Sequence, residues 1–121
     1  MSWTKDRIRS FGYAFEGIAD LFLHTHNARV HAVVAIAVVV AGILFKVSAM
    51  QWCALFICIG MVTAAEALNS AIECLADRVT TQRDPMIKKC KDLAAGAVLL
   101  VTFAAIATGL IIFIPYVVAL F

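Results

Sequence analysis

The chain has 121 residues, of which 64% are hydrophobic and 15% charged, with a formal net charge of +2. A single domain of this size cannot hide so much apolar surface from water, and a mean hydropathy of +0.96 puts it among integral membrane proteins and excludes an ordinary soluble fold. The near balance of charge indicates no strongly basic or acidic partner, and no nucleic acid is expected.

In chain order, residues 3–23 carry Trp3, Ile8, Phe11, Phe15, Ile18 and Phe22 at roughly helical spacing. Lys5, Asp6, Arg7, Arg9, Glu16 and Asp20 stand between them. This pattern predicts an amphipathic helix lying on a membrane surface. The same charges leave no apolar core for a cleavable signal peptide. His24-Thr25-His26-Asn27 interrupts the pattern.

A first span is predicted over residues 28–46. The apolar run from Val30 to Phe45 is short for a hydrocarbon core that needs ~20 helical residues, so the helix extends back through Ala28 and Arg29. Arg29 then snorkels to the interface. Lys46-Val47-Ser48 is a brief polar break, which makes the first two spans a tight helical hairpin. The second span, 49–79, would be ~45 Å long, more than the hydrocarbon is thick, so its far end protrudes. Thr80-Thr81-Gln82-Arg83-Asp84-Pro85 breaks that helix. A third span is predicted over 89–114, apolar from Leu93, with Pro115 closing the regular part.

Positive charge orients the spans. Lys5, Arg7, Arg9 and Arg29 flank the first, and Arg78, Arg83, Lys88, Lys89 and Lys91 flank the second and third, while Lys46 is alone in the opposite loop. The positive-inside rule puts the N-terminus in the cytoplasm and the Lys46 hairpin outside.

The second span holds the anomaly of the chain. Glu66, Asn69 and Glu73 are spaced i, i+3 and i+7, and Asp77 continues the same helical face. A carboxylate at bilayer depth costs about 2.5–3.5 kcal/mol, so such a stripe requires a function. Counted from Ala49, Glu66 lies ~26 Å along the helix, inside the cytoplasmic edge of the hydrocarbon, and Glu73 lies ~10 Å further, among headgroups. Desolvation at that edge suits Glu66 to be a general base. Glu73, closer to water, is suited to Mg²⁺, which takes one or two carboxylates together with phosphate oxygens. Lys88, Lys89, Lys91 and Asp92, at the start of the third span, offer ammonium groups to phosphates.

Simpler roles account for other residues. Asn69 and Ser70 could join helices by hydrogen bonds, and Gly60, Ala64, Ala67 and Ala71 are expected to pack closely against Ala94-Ala95-Gly96-Ala97. Cys53, Cys58, Cys74 and Cys90 lack metal-type spacing and are read as reduced packing residues. His24, His26 and His31 are read as interfacial, solvated side chains rather than metal ligands.

Taken together, these residues point to a known family. Glu66-Ala67-Leu68-Asn69-Ser70-Ala71-Ile72-Glu73, followed by Asp77 and by the run from Lys88 to Leu100, closely resembles the bacterial diacylglycerol kinase and undecaprenol kinase family. Gly12-Tyr13-Ala14-Phe15-Glu16-Gly17-Ile18 extends the resemblance over nearly the whole chain. It implies an all-α homotrimer in the bacterial inner membrane, a surface helix and three spans per subunit, transferring the γ-phosphate of Mg-ATP to a lipid hydroxyl. By resemblance Glu66 is the catalytic base, Asn69 the active-site amide with Ala95 beside the lipid, and Glu73 the metal carboxylate. Lys91, Asp92, Gln82, Asp84, Tyr13 and Arg7 or Arg9 correspond to nucleotide-contacting positions. The family's second metal-associated glutamate corresponds to Thr25, with Glu16, Asp20 or His26 as nearby substitutes. The family's site lies between subunits. Asn27-Ala28-Arg29-Val30-His31 and Pro85-Met86-Ile87-Lys88-Lys89 are more similar to the undecaprenol kinase branch than to the diacylglycerol kinase branch.

Two further classes compete. A transporter or channel subunit could use intramembrane carboxylates to bind a cation, although such a site belongs near the midplane with access from both faces. A scaffold bundle would hydrolyse no ATP.

Overall fold

The computed structural model describes residues 2–121, folded into α1 (Ser2–His24), α2 (His26–Phe45), α3 (Ala49–Val79) and α4 (Pro85–Val118). The protein is all-helical. Helices α2, α3 and α4 are each long and apolar enough to cross a bilayer. Their outward faces carry exposed Val33, Ile36, Leu44, Leu100, Phe103 and Ile111, a surface that only a lipid or protein environment tolerates. The chain is a membrane protein.

Helix α1 hardly touches the bundle. Residues 2–20 are exposed and Leu21 is its single buried residue. The break before α2 is one residue wide rather than the four read from the sequence. Thr25 is extended at φ −117° and ψ 114°, yet its N–H still donates to Leu21 O at 3.0 Å and its carbonyl accepts from Arg29 N at 3.3 Å.

The α2–α3 hairpin is closed by backbone chemistry. Lys46 adopts the left-handed conformation, φ 55° and ψ 52°, where a glycine is commoner. Its N–H donates to Ile43 O at 3.3 Å and that of Val47 to Gly42 O at 3.1 Å, the paired bonds of a Schellman motif. Ser48 and Gln51 then form a reciprocal capping box at the start of α3, satisfying two otherwise orphaned donors.

Gly42 is required by its neighbour. A Cβ there would lie 2.6 Å from Trp52 Cη2 and 3.0 Å from Cζ2 and Cζ3. The indole is stacked on Phe56 with ring centroids 5.3 Å apart, so it does not yield freely. Gly42→Ala is expected to destabilise the hairpin by about 1–3 kcal/mol, the range for overpacking, read as a lower melting temperature of the detergent-solubilised protein. An unchanged melting temperature would mean that the ring has room to turn.

All three spans meet at the hairpin end. Val47, Leu55 and Ile112 are buried together against Val38, Phe45, Trp52, Phe113 and Tyr116. Phe45 stacks on Tyr116 with centroids 5.7 Å apart, and the Tyr116 hydroxyl donates to Gln51 Oε1 at 2.6 Å. The capping glutamine of α3 thus also anchors the end of α4.

That anchor corrects the reading of the third span. The helix starts at Pro85, before the expected residue 89, and continues through Pro115 to Val118. Asp84 accepts from Met86 N and Ile87 N, and Pro85 occupies the first turn, where a missing N–H matters least. Pro115 forfeits one bond near the C-terminus, where neighbouring helices in a membrane bundle compensate. Tyr116, the next residue, is tied to α3 through Gln51.

The small residues are also placed differently. Gly60, Ala64, Ala67 and Ala71 are exposed, on the face of α3 opposite the buried Leu55, Val62 and Glu66. Only Ala94 of the run in α4 is buried. Likewise Cys53, Cys74 and Cys90 are free and exposed, Cys58 alone being partly covered. Three of the four therefore face outward rather than pack inside the chain.

Candidate functional site

The acidic stripe runs along α3 from full burial to full exposure. Glu66 is 2% exposed, the largest fully buried side chain among the described residues. Asn69 is partly covered, and Glu73 and Asp77 are exposed. One helical face thus passes from a dry carboxylate to two solvated ones.

The partner of Glu66 comes from α2. His31 Nε2 lies 3.2 Å from Glu66 Oε1, with the two side chains 26% and 3% exposed. Within hydrogen-bonding reach, that contact supports a group whose burial without a partner would cost several kcal/mol, on the order of 3–5 for a broken buried pair. The interfacial role read for His31 is thereby corrected. His24 is the solvated one, 2.8 Å from Asp20 with both side chains exposed. No local signal marks His31, because its partner lies on another helix.

Asn69 Oδ1 is buried and has no hydrogen-bond partner within the described chain. Its side chain lines a groove of about 610 Å³ between α3 and α4, with Ala65, Leu68, Ile72, Ala76 and Ala94. A second cavity of about 330 Å³ lies nearer the hairpin and is lined by His31, Val62, Thr63, Thr102 and Ile106 among others. Thr102 Oγ1, in its wall, is likewise buried and unpartnered.

The basic cluster is divided. Lys91 Nζ donates across the bundle to Asp77 Oδ1 at 2.7 Å, and its ammonium also feels the Glu73 charge. Asp92 points elsewhere and accepts from Lys88 Nζ at 2.6 Å on α4 itself. One residue turns a helix by about 100°, so adjacent Lys91 and Asp92 serve different faces. The exposed Lys88–Asp92 pair contributes about 0–1 kcal/mol and opens readily. Lys88, Lys89 and Asp92 border an open cleft with Pro85 and Leu93.

The remaining sequence candidates are not assembled within one chain. Arg7, Arg9 and Tyr13 are exposed on α1. Arg7 lies over the Trp3 ring, 5.8 Å from its centroid, and none of the three forms an ion pair with α3 or α4 among the described residues. Gln82 is exposed in the loop. Asp84 already uses Oδ1 to cap α4, and Ala95 is exposed. Thr25 sits at the N-cap of α2 but makes no side-chain cap bond.

For a metal ion, no three His, Cys, Asp or Glu side chains among the described residues stand close enough to form a cage. Glu73 has no ion-pair partner among them. A solvated, uncommitted carboxylate beside a cation-rich helix end fits Mg²⁺ delivered with phosphate oxygens, the usual mode for that ion.

Comparison with known proteins decides the family. Residues 12–113 match the family described as prokaryotic diacylglycerol kinase. The chain belongs to this family. Over 107 residues, 88% of the chain, it is 37% identical to the undecaprenol kinase of Bacillus subtilis, covering 87% of that protein. It is 35% identical to the diacylglycerol kinase of Synechocystis, covering 61% of it, and 28% identical to that of Escherichia coli, covering 86%. The protein is therefore a lipid kinase, a phosphotransferase of the membrane. The transporter reading of the carboxylates has no support.

Proposed function

We propose that the protein phosphorylates the terminal hydroxyl of undecaprenol with Mg-ATP as donor, at the cytoplasmic face of the bacterial inner membrane. One observation carries the chemistry: a carboxylate 2% exposed in a helix long and apolar enough to cross a membrane. The choice of lipid is supported by the 37% identity to an undecaprenol kinase against 28% to the Escherichia coli diacylglycerol kinase.

In this reading Glu66 accepts the hydroxyl proton as the lipid oxygen bonds to the γ-phosphorus, and the bond to the β-γ bridging oxygen breaks to release ADP. Glu73 would hold Mg²⁺ together with the phosphates, and the ion supplies neutralisation of phosphate charge. Lys91 exchanges Asp77 for a phosphate oxygen, a trade between two charge-assisted bonds. Asn69 would donate from its amide nitrogen to the lipid oxygen as the Glu66 carboxylate takes the proton, and Ala95 would lie beside the lipid. Arg7, Arg9, Tyr13, Gln82, Asp84 and Asp92 contact the nucleotide, and Thr25 stands where a second metal-associated group belongs.

A homotrimer supports the distant groups. The exposed Gly60, Ala64, Ala67 and Ala71 face is the small-residue surface that membrane helices use for close approach, and α1 of one subunit could bring Arg9 and Tyr13 to another. The apolar stripe of α1 then rests on the membrane surface. The basic ends of the spans keep both charged regions, and the N-terminus, cytoplasmic.

The test is transfer of labelled phosphate from ATP to undecaprenol, diacylglycerol and ceramide presented in the same mixed micelles. Undecaprenol is expected to take label at a kcat/KM at least about tenfold above the others, a difference of ~1.4 kcal/mol in transition-state binding. A preference for diacylglycerol would overturn the choice of lipid, and absence of label from all three would overturn the reaction.

A further inference from the structure

We infer that His31 is a positioning residue for Glu66, holding one carboxylate oxygen so that the other receives the substrate proton. The inference deepens the proposed reaction and rests on Glu66 being its base. Three observations carry it.

The first is the contact itself, His31 Nε2 to Glu66 Oε1 at 3.2 Å, made where Glu66 is 3% exposed and His31 26%. Water does not compete for the buried oxygen as it does for the Asp20–His24 pair on α1. The second is the absence of a substitute. The lysine on the neighbouring helix face, Lys91, is bound to Asp77, and no Lys or Arg pairs with Glu66 among the described residues. The third is the rigidity of the support. His31 lies one turn beyond Ala28, which is 1% exposed, and its own face of α2 continues through the partly covered Ala35 and Val38.

The chemistry follows from donor and acceptor capacity. An ionised glutamate only accepts, so the imidazole presents Nε2–H to it. A free glutamate side chain samples several rotamers, and each wrong one withdraws the base from the hydroxyl. With Oε1 held, Oε2 is the oxygen left for the lipid. The hydroxyl proton goes to Oε2, the lipid oxygen bonds to phosphorus, ADP leaves, and the Nε2 proton stays on His31 throughout. His31 also lines the 330 Å³ cavity.

The test compares His31→Gln, which retains an N–H near the Nε2 position, with His31→Leu, which has none, and with Glu66→Gln. Steady-state phosphorylation of undecaprenol is measured on each purified protein. The expected result is a fall in kcat of about a hundredfold in His31→Leu, the scale of a misplaced catalytic group. KM for Mg-ATP stays unchanged, most of kcat returns in His31→Gln, and Glu66→Gln is inactive. Full activity in His31→Leu beside an inactive Glu66→Gln would overturn the role of His31 alone. Equal losses in the leucine and glutamine variants would overturn it too, whereas an active Glu66→Gln would remove the base on which it rests. If His31→Leu fails to insert, NMR of the ¹⁵N-histidine-labelled wild-type protein gives the answer. A His31 ring protonated at Nε2, with a signal that moves in Glu66→Gln, supports the contact, and an unprotonated Nε2 overturns it.

Discussion

Glu66→Gln is expected to abolish lipid phosphorylation while leaving insertion and assembly intact. The substitution preserves shape, and the amide oxygen still accepts from His31. It also removes a carboxylate that is 2% exposed, so the folded state loses no solvated interaction. In the proposed reaction, what it removes is the ability to take a proton in the transition state, a contribution of typically 10²–10⁴-fold. The measurement is transfer of labelled phosphate to undecaprenol, with size-exclusion chromatography in detergent as the control for folding. Turnover within a few-fold of wild type would take Glu66 out of the base role.

Glu73→Gln acts on the other pole of the stripe. Glu73 is exposed and carries no ion pair among the described residues, so stability changes by no more than about 0.5 kcal/mol. Activity responds differently. Loss of an outer-shell partner alone lowers metal affinity by roughly 10–100-fold, and loss of a ligand is expected to raise the Mg²⁺ concentration for half-maximal rate at least as much. Titrating Mg²⁺ at fixed ATP measures this. An unchanged Mg²⁺ requirement would assign the ion to phosphates and water alone.

The two variants separate a buried group from a solvated one on the same helix face. Their i and i+7 spacing is legible in the sequence because both belong to one helix, whose periodicity is fixed by backbone geometry. Their difference in depth follows from distance along that helix, but what covers Glu66 does not, because it depends on the side chain that α2 lays against it. A stripe of carboxylates in an apolar run points to chemistry by its cost alone. That Glu66 has an imidazole against it was not readable, since His31 stands in an otherwise apolar helix with nothing local to mark its partner.

The same contrast recurs at the helix ends. Ser48 and Gln51 form a capping box from adjacent residues, and Asp84-Pro85 is a helix start by local stereochemistry. Pro115 looked like a stop on the same grounds. Its helix continues to Val118, and Tyr116 just beyond the proline reaches Gln51 at 2.6 Å, a contact between distant parts of the chain that no neighbouring residue announces.

The sequence by itself determined the solvent, the helical class, the three spans, the acidic face and the family, since these rest on transfer free energies, helical periodicity and motif identity. Tertiary structure alone decided which faces meet. It set Glu66 against His31, gave Lys91 to Asp77 and Asp92 to Lys88, and turned the Gly60, Ala64, Ala67 and Ala71 face away from α4. The rotation of one helix about its axis relative to another is set by interdigitation of side chains far apart in the chain. Local spacing constrains each helix and leaves that rotation free.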